Sequence, residues 1–517
     1  MTGAPERVDV VIVGGGPAGA VLAATLARAG KSVTILEAGP PWTLNDLVSS
    51  QIWSRRLRWG GPFVATGGKH PVGFGFNAGW GVGGAAMHHY GTWPRLKPED
   101  FRVRTLFGRG LDWPIDYPTL LPFYDRIQEE VGISGDAASE IWRPAGAPYP
   151  MPPLERTKQA AAIARGFAAL GKRVAPAPMA INSVEYKGRP ACIYDGWCDA
   201  GCPIGALANP QVTYLPQAKA AGAVMIAHAR VRRVIASKVG RMDAVEYQAA
   251  DGAVIRQPAR QIVLAASVTG NPAILLNSAS DLHPLGIGNG SGLVGRYLMT
   301  HSLLSIIGLF PEETEPHRGV TGAHLISHDD YAKTGTPGAF GSRQWLIGPS
   351  IKPNDLAGLA NANPGLYGKA LDTFMQRAVR HAGNMIGMGE EIPDRENRIE
   401  LGDTTPEWGM KATRMVHAFS PDAVALWQRH RDDGVALFKA AGATDVTASG
   451  MNSAHLMGGT VMGTDPAASV TDSLGRVHGI DNLWVAGPGL FPTSGAVNPT
   501  FTVHALALRT AEHLVSL

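Results

Sequence analysis

The chain has 517 residues, of which 45% are hydrophobic and 17% are charged, and its formal net charge is +3 at pH 7. This length and balance exclude a disordered chain and favour a folded protein with a large core. The small net charge, with no block of lysine or arginine, excludes nucleic acid as an expected partner. No run of eighteen apolar residues occurs and the first predicted strand begins at Val8, so we expect neither a membrane span nor a signal peptide.

A strand, a glycine-rich turn, a helix and a second strand are predicted at the amino terminus. Val8–Val13 reads VDVVIV and runs directly into G-G-G-P-A-G, from Gly14 to Gly19. A helical pattern over residues 18–29 follows, and the second strand, SVTILEA, contains Glu37 eighteen residues after Gly19. A G-x-G-x-x-G turn between a strand and a helix, with an acid at this distance, predicts a dinucleotide-binding unit.

Each residue of this pattern has a physical task. Gly14 permits the tight turn, Gly16 lets the backbone approach a pyrophosphate, and Gly19 lets the helix pack against the strand. The helix N-terminus then faces the diphosphate. Glu37 is expected to accept hydrogen bonds from ribose hydroxyls and to repel a 2′-phosphate, which favours NAD or FAD over NADP.

All three cysteines of the chain fall within one short segment. Cys192, Cys198 and Cys202 form a C-x5-C-x3-C pattern, with glycines at 196 and 201 that bend the chain. Cysteines that serve as small core residues would scatter along the sequence. Clustered thiolates instead converge on one iron–sulfur cluster, which predicts an electron-transfer protein.

Three alternatives stay open for these cysteines: a zinc site, a disulfide with one spare thiol, and three buried thiols. Zinc usually takes four closed ligands, and the nearby candidates are carboxylates such as Asp195 and Asp199. A three-thiolate [3Fe-4S] cluster fits this inventory better. The sequence alone does not exclude zinc.

The organisation predicted along the chain is a discontinuous dinucleotide domain and a second, substrate-facing part. Segments with a dinucleotide-domain pattern occur three times, whereas the intervening segments are rich in proline and aromatics or mix short strands with helices such as that over residues 422–441. The first part is predicted at 1–95, 215–305 and 450–517. The substrate-binding and cluster-bearing part is predicted at 96–214 and 306–449.

The carboxyl-terminal segment contains the pattern H-L-x-G-G-T-x-M-G, which starts at His455, and the strand NLWVAGPGLFP followed by G-A-V-N-P-T. Together with the amino-terminal turn, these motifs resemble the glucose–methanol–choline (GMC) oxidoreductases, FAD enzymes that oxidise alcohols and sugars. The cysteine segment ending GCPIGA, and motifs such as GLVGRYLMTH, are similar to the catalytic subunits of bacterial flavoprotein sugar dehydrogenases. The resemblance spans nearly the whole chain. It implies an α/β fold: a Rossmann-like FAD domain with an α+β substrate-binding domain.

The resemblance implies that His455 is the catalytic histidine and Asn498 its partner. The pair also makes chemical sense, because oxidising a carbinol requires removal of the hydroxyl proton while a hydride leaves the same carbon. His455 is expected to be the base and Asn498 to hold the oxygen. The hydride is expected to pass to flavin N5, since hydride chemistry belongs to the cofactor.

The resemblance also implies further residues that bind FAD, among which Val231 contacts the adenine through its backbone. They are Gly83, Gly84, Val231, Gly487, Asn498, Pro499 and Thr500. After the two glycines this chain departs from its relatives with A-A-M-H-H-Y, and a covalent flavin link through His88 or His89 is an alternative to simple packing. His504, within a helical run, is expected to be structural.

The expected function is that of an FAD-dependent dehydrogenase of a sugar, glycoside or polyol, with a [3Fe-4S] cluster at Cys192, Cys198 and Cys202. The cluster would divide the electron pair of a hydride for one-electron acceptors, a cytochrome or a quinone. An alcohol oxidase with structural cysteines and a non-catalytic flavin subunit are the alternatives. Relatives imply a small chaperone-like subunit that carries the export signal and a cytochrome c acceptor, and hence a periplasmic or membrane-associated location. The substrate itself is not predicted.

Overall fold

The computed structural model describes residues 6–59, 61, 64–73, 78–361, 364–406 and 408–517. Residues with α-helical conformation form eleven segments in this part of the chain. In order, they are α1 (Pro17–Arg28), α2 (Gln51–Trp59), α3 (Val103–Phe107), α4 (Tyr117–Val131), α5 (Lys158–Ala169), α6 (Tyr214–Ala220), α7 (Ser267–Asn277), α8 (Pro353–Asn361), α9 (Gly368–His381), α10 (Pro421–Ala440) and α11 (Thr500–Val515).

The strands of the described residues form three sheets. In chain order they are β1 (Val8–Val13), β2 (Val33–Leu36), β3 (Ala65–Gly67), β4 (Ala175–Pro176), β5 (Val224–Ile226), β6 (Arg230–Lys238), β7 (Arg241–Gln248), β8 (Val254–Leu264), β9 (Met299–Leu309), β10 (Leu325–Ser327), β11 (Arg343–Ile347), β12 (Ala382–Gly389), β13 (Arg398–Leu401), β14 (Thr413–Val416), β15 (Thr444–Ala448), β16 (Asn452–Met457) and β17 (Leu483–Val485).

The first sheet has the order β5-β2-β1-β8-β7-β6, and β17 also pairs with β8. Its centre is parallel: β1 pairs in parallel with β2 and β8, and β2 with β5. β1 has the predicted bounds, and α1 starts at Pro17, where the fixed φ of proline suits the first helical position. Val10–Val13 of β1 and residues 18–27 of α1 are buried, which accounts for their largely apolar sequence. The predicted Rossmann-like domain is confirmed.

The second sheet is antiparallel, in the order β15-β9-β12-β11-β10-β4, and β16 pairs with β9. Helices α5 and α10 pack on it around a buried cluster that includes Phe167, Trp345 and Phe438. A third, small sheet has the order β13-β14-β3. The mixed α/β architecture agrees with the predicted fold class.

Strands from the two predicted parts of the chain meet in the second sheet. β9 crosses the expected boundary at residue 305, and β16 belongs to the segment predicted for the dinucleotide domain. The division into domains therefore stays a prediction. Among the helices of the described ranges, none has the length and apolar character needed to cross a membrane.

Candidate active site

The first βαβ unit forms a loop that only glycine can build. Gly14 has a φ of +108°, and a Cβ there would lie 2.4 Å from the carbonyl oxygen of Ala265. A Cβ on Gly19 would lie 2.0 Å from the carbonyl oxygen of Gly14. Glycine at both positions thus allows the turn and the close approach of α1 to the loop.

The remaining predicted glycines surround the start of α1. Gly16 caps this helix without a side-chain hydrogen bond, so the first N–H groups of α1 are available to a phosphate. The N–H of Gly83 donates to the carbonyl of Gly15 at 3.0 Å, and a Cβ on Gly84 would lie 3.0 Å from the Cα of Gly16. The structure therefore brings Gly16, Gly83 and Gly84 together in one cradle whose chemistry fits a dinucleotide diphosphate.

Glu37 directly follows β2 and is buried. Its Oε2 accepts a hydrogen bond from the N–H of Gly15 at 2.8 Å, and its Oε1 accepts one from Gly39 at 2.9 Å. These bonds fix the carboxylate beside the glycine loop and leave each oxygen a second lone pair for a ribose hydroxyl. Val231 lies nearby, because the N–H of Ala229 donates to the carbonyl of Glu37.

His455 lies on β16 in an unusual backbone conformation. Its φ is +66°, in the left-handed region, and the pairing of β16 with β9 shifts register between Ala454 and Met457. A bulge of this kind re-aims a side chain, and strained residues of this kind cluster at functional sites. The Nε2 atom of His455 lies 3.3 Å from Nδ2 of Asn498, so the two residues predicted to be catalytic are adjacent.

A second histidine, His301 on β9, completes this group. Its Nδ1 lies 3.0 Å from Nδ1 of His455, and its Nε2 lies 2.9 Å from the carbonyl oxygen of Gly495. Burial lowers the pKa of His301 to about 4, and burial together with His301 lowers the pKa of His455 well below its usual value. Both imidazoles are therefore neutral at pH 7. Sequence reasoning assigned no role to His301, although it ends the GLVGRYLMTH motif.

The other side of Asn498 is held by buried amide and imidazole groups. Its Oδ1 accepts a hydrogen bond from Nε2 of Gln344 at 3.1 Å. Oε1 of Gln344 in turn lies 2.8 Å from Nε2 of His328. Gln344 and His328 carried no signal in the sequence, because they lie in a segment without a recognisable motif.

The remaining residues predicted to bind the cofactor lie at one helix start and one turn. Pro499 caps α11, which begins at Thr500, and no side chain caps this helix. Gly487 has a φ of +106° and follows β17 in the sheet that contains the glycine loop. The structure thus places Pro499 and Thr500 directly after Asn498, at a second helix N-terminus that can face polar atoms of a cofactor.

The three histidines considered in the sequence for other roles each bond to a backbone carbonyl. Nε2 of His88 lies 2.8 Å from the carbonyl oxygen of Ala78, and Nε2 of His89 lies 2.7 Å from that of Ala208. His504 bonds through Nδ1 to Thr500 within α11. These contacts favour packing over a covalent flavin link for His88 and His89, and they suit the structural role expected of His504.

The cysteine segment surrounds a pocket. Cys192, Cys198 and Cys202 all line it, together with Ile181 and Leu207 among others, and the space is partly open to solvent. Tyr194 and Cys202 have positive φ values of +58° and +51°, and Gly196 and Gly201 also have positive φ values. These conformations wrap the chain around this space. The thiols are free of disulfides, so the alternative of a disulfide with one spare thiol is absent from this structure.

Each cysteine sulfur accepts a backbone hydrogen bond. The donors are the N–H groups of Tyr194, Leu207 and Thr321, at 3.3 to 3.4 Å from Sγ of Cys192, Cys202 and Cys198 respectively. Burial raises the pKa of the Cys192 thiol to about 12 and raises those of the other two as well. A metal centre here must therefore displace protons from the thiols. Across the ranges that the structure describes, no three His, Cys, Asp or Glu side chains are arranged to hold a single metal ion.

Met87 connects the cysteine pocket to the glycine cradle. A Cβ on Gly201 would lie 3.1 Å from the carbonyl oxygen of Met87, and a Cβ on Gly83 would lie 2.3 Å from its sulfur. Gln211, on the same side, donates to the carbonyl of Val82 at 3.0 Å. The turn that bears Cys198 and Cys202 and the dinucleotide cradle thus both contact one residue, Met87.

A sheet with a parallel centre and a diphosphate cradle, in a chain that also holds a neutral histidine–amide pair, is typical of a dinucleotide-dependent oxidoreductase. Comparison with known proteins agrees. The pattern of an FAD binding domain matches residues 7–44, and patterns of the GMC oxidoreductases match residues 108–303 and 369–507. The chain belongs to the GMC oxidoreductase family and is an FAD-dependent oxidoreductase acting on CH–OH groups.

Individual relatives cover the chain from end to end. It is 32% identical to 2-methyl-1,2-propanediol dehydrogenase from Mycolicibacterium austroafricanum, over 99% of this chain and 96% of that protein. It is 29% identical to the fructose dehydrogenase large subunit from Gluconobacter japonicus, over 100% and 99% of the two chains. The crystal structure of pyridoxine 4-oxidase from Mesorbium loti has the same fold, with a TM-score of 0.66, 18% identity and coverage of 98% and 99%.

Proposed function

We propose that this protein is an FAD-dependent dehydrogenase that oxidises a CH–OH group of a polyol or sugar, with His455 as base. The observation that carries the proposal is the meeting of Nε2 of His455 with Nδ2 of Asn498. Two of its relatives are named as a diol dehydrogenase and a fructose dehydrogenase subunit, and both span its full length. These names support a polyhydroxylated substrate.

The chain's own residues supply the acid–base chemistry. The alcohol oxygen would enter between Nε2 of His455 and Nδ2 of Asn498 and replace their direct contact, because Nε2 has one lone pair. Nε2 would then accept the hydroxyl proton, while an N–H of Asn498 donates to the alcohol oxygen and holds it as negative charge develops. When bound, FAD supplies the hydride acceptor. The cradle of Gly14, Gly16, Gly19, Gly83 and Gly84, with Glu37 and Val231, would hold its nucleotide part. Gly487, Pro499 and Thr500 would lie against the flavin.

We also propose a [3Fe-4S] cluster ligated by Cys192, Cys198 and Cys202. Three converging sulfurs, each with a backbone donor, fit a cluster, whose potential depends on such hydrogen bonds. The spacing of the three cysteines and their shared pocket support this part of the proposal. The cluster would supply one-electron transfer to an external cytochrome or quinone.

Partner subunits are part of the proposal. The relative from Gluconobacter japonicus is named as a large subunit, which supports an assembly with at least one further subunit. We propose that this assembly contains a small subunit and a cytochrome c acceptor. An export signal on such a subunit would give a periplasmic or membrane-associated location. Co-purification of the chain expressed with and without its neighbouring open reading frames tests this assembly.

The deciding experiment is anaerobic bleaching of the flavin absorbance of the purified holoprotein. The panel contains 2-methyl-1,2-propanediol, D-fructose, D-gluconate and primary alcohols of matched size. We expect bleaching by at least one polyhydroxylated compound, and bleaching at least about 100-fold slower with the His455→Ala variant. Peroxide formation in air, with no iron or acid-labile sulfide in the protein, would instead identify an alcohol oxidase. Bound FAD that no hydroxyl compound reduces would indicate a non-catalytic flavin subunit.

A further inference from the structure

The hydrogen bonds behind His455 form a directional chain that starts at a backbone carbonyl. The carbonyl oxygen of Gly495 only accepts hydrogen bonds, so Nε2 of His301, 2.9 Å away, must carry a proton. A neutral imidazole has one protonated nitrogen, so Nδ1 of His301 is then an acceptor. The neighbouring Nδ1 of His455, at 3.0 Å, must be the donor. Nε2 of His455 is left without a proton.

We propose that His301 is a positioning residue that fixes the tautomer of His455, so that the unprotonated Nε2 faces the substrate and Asn498. This inference rests on the proposed function and assigns a role to a residue outside the predicted catalytic pair. The opposite tautomer of His455 would place two lone pairs against each other at 3.0 Å. The tautomer is therefore set by a contact that does not touch the substrate.

The hydrogen bonds on the other side of Asn498 have a donor–acceptor direction that agrees with this tautomer of His455. Oδ1 of Asn498 accepts from Gln344, which leaves its Nδ2 group directed at Nε2 of His455. Oε1 of Gln344 in turn accepts from Nε2 of His328. A donor on Asn498 thus matches an acceptor on His455 at the point where the alcohol oxygen would bind. Such agreement makes the pair preorganised.

The fold explains why His301 can have this role. β9 pairs with β16 so that His301 lies opposite Ala454, the residue before His455. The left-handed conformation of His455 then turns its ring towards β9. His301 is fully buried, which excludes water as a competing partner for its nitrogens.

The test compares His301→Ala with His301→Asn, whose side-chain oxygen can accept the hydrogen bond from His455. The probe is the polyhydroxylated compound that bleaches the flavin fastest. With His301→Ala, we expect the limiting rate of anaerobic flavin reduction to fall about 10- to 100-fold, with little change in KM. Replacement of a residue that orients a functional histidine lowers activity by a similar factor in metalloenzymes. His301→Asn should recover much of this rate.

A measurement without substrate tests the tautomer directly. In protein labelled with ¹⁵N-histidine, the signals absent from His455→Ala identify His455, and their shifts distinguish Nδ1–H from Nε2–H. We expect the Nδ1–H tautomer in the wild type and a mixture in His301→Ala. An Nε2–H tautomer in the wild type would overturn the inference.

His430→Ala is the matched control. His430 is also a fully buried imidazole, but it packs beside Gly387 and Gly389 near Ser302, on the face of β9 opposite to His301. If His301→Ala reduced the flavin no more slowly than His430→Ala while His455→Ala abolished reduction, the inference would fail and the proposed function would stand. If His455→Ala retained the wild-type rate, the proposed function itself would fail, whereas the tautomer measurement would still judge the role of His301.

Discussion

Nδ1 of His301 lies 3.0 Å from Nδ1 of His455, although the two residues are 154 positions apart in the chain. The contact joins two strands, β9 and β16, whose pairing is irregular at this point. Because His301 already donates to a carbonyl, it can only accept from His455. The candidate base is thus oriented by its neighbour in the sheet.

Replacement of either residue of the catalytic pair should slow flavin reduction by different amounts. His455→Ala removes the base and should lower the rate about 10²- to 10⁴-fold. Asn498→Ala removes one donor to the developing alkoxide and should cost about 10²- to 10³-fold. Anaerobic stopped-flow spectroscopy of the flavin band measures both rates. Equal rates for wild type and His455→Ala would exclude this histidine as the base.

The pH dependence of flavin reduction should lack an acid limb near neutrality. Burial and the adjacent His301 lower the pKa of His455 well below 6.5, so the base stays unprotonated at pH 6.5. Activity that needs the unprotonated form is present above this pKa and is lost as the pH falls through it. We expect kcat/KM to be constant just above pH 6.5 and to decline only at lower pH. An acid limb with its midpoint above 6.5 would contradict the assignment.

Serine at Cys192, Cys198 or Cys202 should slow electron delivery to the acceptor without slowing reduction of the flavin by substrate. Each variant should lose iron and acid-labile sulfide, keep substrate-driven flavin reduction, and pass electrons more slowly to cytochrome c. Val184→Ala, an exposed change shortly before this segment that does not line the cysteine pocket, is the control. A cysteine variant without iron that reduced cytochrome c at the wild-type rate would rule out the relay.

Gly19→Ala should abolish FAD binding or folding of the first domain. Its Cβ would lie 2.0 Å from the carbonyl oxygen of Gly14, and backbone atoms cannot move aside cheaply. Gly358→Ala is the matched control, because it lies in α8 with no atom within 4 Å of the new Cβ. That change should stabilise the protein by about 0.4 to 1 kcal/mol. The ratio of flavin to protein absorbance reports the first effect, and thermal unfolding reports the second.

Lys333→Met should be strongly destabilising. Nζ of Lys333 lies 2.6 Å from Asp100 and 2.8 Å from Glu390, and all three side chains are fully buried. Removing the cation leaves two buried carboxylates unpaired, at a cost of about 3 to 5 kcal/mol. Lys158→Met breaks an exposed pair with Glu315 and should change stability little. Denaturant unfolding of both variants, monitored by tryptophan fluorescence, compares the two losses.

The amino-terminal unit was predictable because its signals are local. Apolar strand, glycine turn, helix and acid follow one another in sequence, and β1 has the predicted bounds. Glu37 was assigned to ribose alone, but its carboxylate also accepts from Gly15 and Gly39. Those backbone contacts arise from the folded loop and leave no mark in the sequence pattern.

The surroundings of the catalytic pair were predictable only in part. His455 and Asn498 belong to motifs, whereas His301, Gln344 and His328 reach them through pairing of distant strands. Register between strands so far apart in sequence depends on tertiary packing. The left-handed conformation of His455 is likewise a property of the bulge in β16 and is not encoded by a glycine.

The atom that decides which nitrogens of His301 and His455 carry a proton is a main-chain atom, the carbonyl oxygen of Gly495. The carbonyl of Gly495 is present whatever residue is encoded there, so no single codon change can delete it. A substitution can only displace it: a Cβ on Gly495, whose φ is +56°, would lie 2.6 Å from Leu96 Cδ2 and 3.1 Å from the hydroxyl of Tyr331. Which ring nitrogen of His301 and of His455 carries the proton therefore depends on the path of the main chain. A comparison of side-chain identities alone would not detect this dependence.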